Sequence, residues 1–253
     1  MNKYDNSAAL YSPDGRVLQV EYATRAVGNS FTAIGIRGKD AVVLAVDKII
    51  RSSLYEPDAD GRILTLERNI GMAMAGFTPD GHFVAEIARQ EAANYRLRLH
   101  AGIPIKDLCE RVASFVHANT MNGIHRPLGL SAILASWDAH AGPQLFRVDP
   151  DGSYREYYAC AIGRGKPQAM REFDRQDNMT NMETKELVKA AGEIIYKSHF
   201  DRQQRDFLFE MGIVGEATKG IHLINPTELT EMARFAGSEA LSNASSSSDD
   251  PFF

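Results

Sequence analysis

The chain has 253 residues, 44% of them hydrophobic, and carries 33 acidic against 28 basic residues for a formal charge of −5. That content supports one large β-rich or α/β domain and argues against a nucleic-acid partner, which wants a basic face. Its two cysteines, Cys109 and Cys160, form no CxxC pair, and no apolar stretch is fit for a signal peptide or a membrane span, so a soluble intracellular protein without disulfide frame or zinc site is expected.

Residues 1–11 are polar and patternless. Ser12-Pro13-Asp14-Gly15 reads as a turn, with Pro supplying a fixed φ and Gly a position where φ can turn positive. A short helix is predicted over 17–27, with Leu18, Tyr22 and Ala26 on one stripe and Gly28 as its stop. Strands over 31–37 and 41–48 make a hairpin around Gly38-Lys39-Asp40, and strands over 63–67 and 70–76 make another through Arg68-Asn69. The runs AVVLAV and GMAMAG are continuously apolar, the texture of strands covered on both faces. Two helices follow. The first takes Thr78 as N-cap and Pro79 as its first residue, buries Val84, Ala88, Ala92, Tyr95 and Leu99, and stops at Gly102. The second starts at Pro104, carries Ile105, Leu108, Val112, Phe115 and Asn119 at spacings of three and four, and stops at Gly123.

The second half repeats the order. Strands are predicted over 130–137, 144–149 and 154–162, then helices over 168–176 and 182–198, the latter opened by a Thr180/Glu183 capping box. Strands over 207–214 and 221–224 precede a last helix, with Asn225 as cap, Pro226 first, Glu228 third, and Leu229, Met232, Ala233 and Ala236 buried. The serine-rich acidic end, 242–253, is predicted to be disordered. Two sheets face to face, with helices over their outer faces, satisfy this pattern.

Thr32, on the first strand, raises the question of a threonine nucleophile. Such a nucleophile uses its own free α-amino group as base. Here a turn and a helix precede Thr32, the residue just ahead is Phe31, and the strand that should supply an activating lysine carries only Arg62. A guanidinium stays charged and cannot be tuned as an ammonium can. A packed strand threonine is therefore the expectation, with an active threonine hydrolase as the alternative. GRGK, 163–166, hints at phosphate binding, but Cys160 stands where a P-loop needs its first glycine and Pro167 where it needs Ser or Thr. The seven histidines show no metal-ligand spacing, and Asp47-Lys48 at a strand end reads as a solvated pair. No catalytic, cofactor or metal residue is expected.

The stretch YSPDGRVLQVEYATRAV, 11–27, resembles the N-terminal signature of 20S proteasome alpha subunits. The resemblance continues through TAIGIRGKDAVVLAVDK, AGFTPDG, RPLG, LFRVDPDG, ACAIGRGK and EIIYKSH, and covers about residues 4–240. It implies an α+β fold, a four-layer αββα sandwich of the N-terminal-nucleophile hydrolase type. It also implies a non-catalytic role, because catalysis in this family sits in beta subunits with processed N-termini. The expected layout is a gate tail over 1–11, one domain over 12–241, and the acidic tail over 242–253. YDNSAALYSPDG, CAIG, IIYKSH, VGEATKG and the serine-aspartate tail are most similar to the alpha-7 class of the family. The implied partners are other alpha subunits in a seven-member ring, with alpha-6 and alpha-1 classes as neighbours, beta-ring subunits, and regulatory caps. No nucleic acid or membrane is implied, and the implied compartments are cytoplasm and nucleus.

Several residues match family roles. Tyr4 and Asp5 match a gate motif whose arginine is replaced here by Asn6, and Pro13 and Tyr22 match the turn proline and helix tyrosine that hold the gate open. Arg62 stands where a lysine receives activator C-termini. Leu18, Val20 and Tyr22 are the expected ring interface. Ser246 and Ser247, each three residues ahead of an aspartate, suit phosphorylation by an acid-directed kinase.

Overall fold

Strands that are apolar at every position need cover on both faces, and the architecture supplies it. The structure, a computed structural model, describes residues 7–8, 10–49, 54, 56, 60–121, 123–176, 178–200 and 207–246. Helix α1 (Leu18–Gly28) leads into strands β1 (Ala33–Arg37), β2 (Ala41–Ile49), β3 (Ile63–Glu67) and β4 (Ile70–Gly76), then helices α2 (Thr78–Leu99) and α3 (Ile105–Met121). The second half runs β5 (Leu130–Asp138), β6 (Gly142–Val148), β7 (Tyr154–Glu156), β8 (Ala159–Ile162), α4 (Lys166–Arg175) and α5 (Thr184–Phe200). It closes with β9 (Phe207–Gly215), β10 (Leu223–Ile224) and α6 (Thr227–Ser246). No described helix is long and apolar enough to cross a membrane.

Two five-stranded sheets form, in the orders β10-β9-β2-β1-β8 and β3-β4-β5-β6-β7. All pairings are antiparallel. The period of two sorts each strand between two cores. On β2, Val42, Leu44 and Val46 face the other sheet, while Ala41, Val43 and Ala45 face the helices α4, α5 and α6. On β4, Ala73 and Ala75 face inward, while Ile70, Met72 and Met74 lie under α2 and α3. The order is therefore helices, sheet, sheet, helices, which is the four-layer αββα arrangement.

Local expectations are corrected in several places. The strand predicted over 154–162 is two strands in different sheets. The chain crosses at Tyr157-Tyr158, where the Tyr157 N–H donates to the Leu145 carbonyl at 2.9 Å and the Tyr158 carbonyl accepts from Arg37 at 2.8 Å. Thr78 is the first residue of α2 and not its cap; Phe77 precedes it with no side-chain cap bond. The capping box moves three residues, since Thr180 lies in a 3₁₀ turn and the Glu183 N–H donates to Glu186 at 3.4 Å. Asn225 is not a cap either: its Oδ1 accepts the Met211 N–H at 2.8 Å, with φ at 48°. Leu99, expected in the core, is 60% exposed at the overhanging end of α2. On α1, Ala23 and Val27 form the buried side, while Tyr22 and Ala26 are exposed. Helix α6 runs to Ser246, five residues past the predicted domain boundary at 241.

One histidine joins the two sheets. The His222 ring slots against Gly71 of β4 and Gly212 of β9, where an added Cβ would stand 2.1 Å and 2.8 Å from its Nε2. Thr65 Oγ1 lies 2.8 Å from Nδ1, and Nε2 has no partner among the described residues. Burial pulls the His222 pKa down to about 4. An unfolded histidine titrates near ~6.5, so between those values the unfolded chain binds a proton that the folded chain refuses. The folded state is fully favoured above the unfolded pKa and loses about 3 kcal/mol as pH falls to the folded value, at about 1.4 kcal/mol per unit. Urea unfolding between pH 7 and 4.5 is expected to show a shallower acid loss for His222→Gln than for the parent; equal slopes would contradict it.

Candidate functional site

Thr32 lies just ahead of β1, and each of its polar groups is engaged. Its N–H donates to Asp47 Oδ1 on β2, and its carbonyl accepts the Asp47 N–H at 3.0 Å. Its hydroxyl oxygen accepts the Gly165 N–H at 3.0 Å, and the residue is only 2% exposed. Asp47 Oδ2 stands 3.1 Å from Nδ1 of His199, so Asp47 is a buried bridge between β1 and α5 and not the solvated group expected from sequence. The Thr32 nitrogen is a peptide amide in a hydrogen bond, whereas an N-terminal nucleophile needs a free amine. GRGK proves to be the turn that seats α4 on this strand. Gly163 has φ of 85°, and a Cβ there would meet the Phe31 carbonyl at 1.7 Å. The Gly165 N–H that a phosphate cradle would use is already donated to Thr32.

Phe31 fills the space ahead of Thr32. The Arg62 guanidinium lies 4.2 Å from its ring centre and pairs with Asp60 at 3.0 Å. Arg62 is 2% exposed. The Arg62 and Ile63 N–H groups both donate to the Glu210 carboxylate on β9, at 2.9 and 3.0 Å. Burial pushes the Glu210 carboxyl up, against the opposing pull of those N–H groups. The side chain expected to receive an incoming carboxylate is thus engaged with Asp60 and the Phe31 ring, while the backbone N–H groups at the start of β3 tie that strand to β9. Burial also raises both thiols, Cys160 to about 12, so neither cysteine is a ready thiolate.

The N-terminal turn and α1 form the other candidate site. Gly15 has φ of 74°, its N–H donates to the Ser12 carbonyl at 2.9 Å, and the exposed Pro13 sits between them. Arg16 grips the Glu21 carboxylate with two N–H donors, which hold that carboxyl below its ordinary range. Leu18 and Val20 are half-buried, and Tyr22 is 38% exposed with the Arg25 guanidinium 5.6 Å from its ring centre. Leu18, Val20, Tyr22 and Pro13 therefore share one short segment in front of the sandwich. Tyr4, Asp5 and Ser247 lie outside the described residues, as does the side chain of Ser246. Among the described residues, no group of three or more His, Cys, Asp or Glu could hold a metal ion.

Sequence reasoning missed Asp80. It reads as an ordinary first-turn acid, yet it is buried and accepts Arg126 through two bonds at 2.7 and 2.8 Å and the Gly129 N–H at 2.9 Å. Burial alone would raise its pKa; Arg126 and Gly129 outweigh that and hold it low. The clamp ties the motifs AGFTPDG and RPLG together at the end of β4, with Arg126 5.7 Å from the Phe77 ring centre. The only signal was that both motifs stood out separately.

Comparison with known proteins agrees with this geometry. A family profile described as proteasome subunit matches residues 27–214, and a second, describing the N-terminal signature of A-type proteasome subunits, matches residues 4–26. The chain is 60% identical over 237 residues to the alpha type-3 proteasome subunit of Drosophila melanogaster, covering 94% of this chain and 93% of the relative. It is 40% identical over 238 residues to the Arabidopsis thaliana protein of that name, covering 94% and 95%. It is 36% identical over 233 residues to the probable alpha type-7 proteasome subunit of Saccharomyces cerevisiae, covering 91% and 81%. With its signature segment folded as turn and helix and its sandwich matched along most of its length, the chain belongs to the proteasome subunit family, as a member of the alpha type.

Proposed function

We propose that this chain is a non-catalytic member of the alpha ring of a 20S core particle, where it serves assembly, gating of substrate passage and docking of regulatory caps during protein degradation in cytoplasm and nucleus. Its ring neighbours are subunits of the alpha-6 and alpha-1 classes, and beta subunits supply the peptidase activity. The observation that carries this reading is the state of Thr32: α1 stands ahead of it in the chain, and its nitrogen is an amide bonded to Asp47.

Thr32→Ala is expected to leave peptide hydrolysis per assembled particle unchanged. It removes the acceptor of the buried Gly165 N–H, so it should lower the stability of the chain by about 1–3 kcal/mol. Loss of one class of peptidase activity with normal assembly would sink the reading and favour a threonine hydrolase.

Leu18, Val20 and Tyr22 offer an apolar, partly exposed surface of the kind that marks an interface. Leu18→Asp with Tyr22→Ser should block incorporation into the ring while the isolated chain keeps its melting temperature. Normal incorporation of that double variant would contradict the assignment. The tail over residues 1–11, with Tyr4 and Asp5, is assigned to the gate. Deleting residues 1–9 should raise basal peptide hydrolysis only modestly, because other subunits share the gate; a fully open particle would refute this division.

A further inference from the structure

The segment ahead of α1 folds back beside that helix. The Ser12 N–H donates to the Arg16 carbonyl at 2.9 Å, the Gly15 N–H to the Ser12 carbonyl at 2.9 Å, and the Arg16 N–H to Ser12 Oγ at 3.1 Å. This closed reversal brings residue 8 beside the start of α1. There Ala8 is 5% exposed, while Leu10 and Tyr11 are 42% and 71% exposed. Removal of apolar area from water favours burying Leu10 over Ala8, since its side chain is much the larger. Position along the reversal, and not hydrophobicity, therefore puts Ala8 inside.

Ala8 lines a cavity of about 470 Å³. Val17 and Val20 of α1 and Met121 of α3 supply apolar wall, and His117, Thr120 and Asp151 stand among them. Packing sets the α3 side of this cavity. His117 Nδ1 lies 3.1 Å from the Asp151 carbonyl oxygen, and Thr120 Oγ1 donates to the His117 carbonyl at 2.7 Å. Gly152, with φ of 80°, presses the turn over 149–152 against α3: an added Cβ would stand 2.5 Å from His117 Cβ and 2.8 Å from the Ala113 carbonyl oxygen. Glu21 and Asp151 both line the cavity, so a negative charge at position 8 would be desolvated and repelled at once.

We infer that this cavity is the seat of the chain's own N-terminal tail, with Ala8 as the anchor. Two fixed points, the Ser12–Arg16 reversal and the Ala8 seat, then set where the tail leaves the subunit. The inference rests on the assignment of that tail to the gate, and adds where within its own subunit the tail is held. The occupant is identified by its presence there: Ala8 is buried among these walls, between exposed or half-buried neighbours.

The test compares core particles carrying the parent chain, Ala8→Asp, Ala8→Val or the deletion of residues 1–9. Amide hydrogen exchange over residues 7–12, where present, is read by mass spectrometry, alongside basal peptide hydrolysis. Ala8→Asp is expected to exchange at least about tenfold faster than the parent and to raise hydrolysis as far as the deletion does. Ala8→Val, which stays apolar and fills more of the cavity, is expected to exchange no faster than the parent. Should Ala8→Asp fail to enter particles, Ala8→Gly, which removes only the buried methyl, is measured in its place and is expected to exchange about fourfold faster. Parental exchange in the Asp or Gly variant, or Ala8→Val exchanging as fast as Ala8→Asp, overturns the seat. Faster exchange without a rise in hydrolysis, while the deletion does raise it, overturns Ala8 as the anchor of the gate tail. A deletion that leaves hydrolysis unchanged overturns the gate assignment instead, and the exchange then decides the seat by itself.

Discussion

In the middle layer of the sandwich, the Leu145 and Ile133 side chains of one sheet approach Gly35 of the other so closely that an added Cβ would stand 2.7 and 2.8 Å from them. Close packing of two sheets at this point fixes their separation, and it forces every strand crossing the layer to keep its register. A slip by one residue would turn Val42, Leu44 and Val46 toward the helices and Ala41, Val43 and Ala45 toward the other sheet. The outer helices are the second half of the same constraint, since strands apolar on both faces would otherwise expose a second hydrophobic surface.

That frame decides what Thr32 can be. Once β1 pairs with β2 between Ala33 and Val46, Asp47 is carried to the Thr32 amide, and β8 on the other side of β1 leads into the Gly163–Gly165 turn over its hydroxyl. Phe31 and Arg62 fill the space ahead. Fold alone does not confer an activity, and here the positions around Thr32 are taken by packing and hydrogen bonds. The exposed apolar surface lies at the periphery instead, on α1 and the turn before it.

Much of this was legible in the sequence, and what was not has a common cause. The bounds of β4 were readable because an unbroken apolar run sits between two turns. The signature at 11–27 was readable because turn proline, glycine and amphipathic helix follow one another without gaps. The break between β7 and β8 was not, because YREYYACAI keeps strand-like residues throughout; the crossing lies in backbone bonds to distant strands, Tyr157 to Leu145 and Arg37 to Tyr158. The caps failed for the same reason. Asn225 has the chemistry of a cap, but β9 claims its side chain. At the candidate site, Arg62 looked available because the Phe31 ring under its guanidinium is distant in sequence, and Asp80 looked ordinary because its partner Arg126 is distant too. Residues whose role is set by a distant partner are those that local pattern cannot read.

The central claim is that the segment ahead of Thr32 is a permanent part of the working subunit. Intact-mass spectrometry of this chain, released from purified and peptidase-active core particles, tests it most directly. The account predicts a chain that retains α1 and the turn before it, with no species beginning at Thr32. A mature chain starting at Thr32, with its α-amino group free, would contradict it.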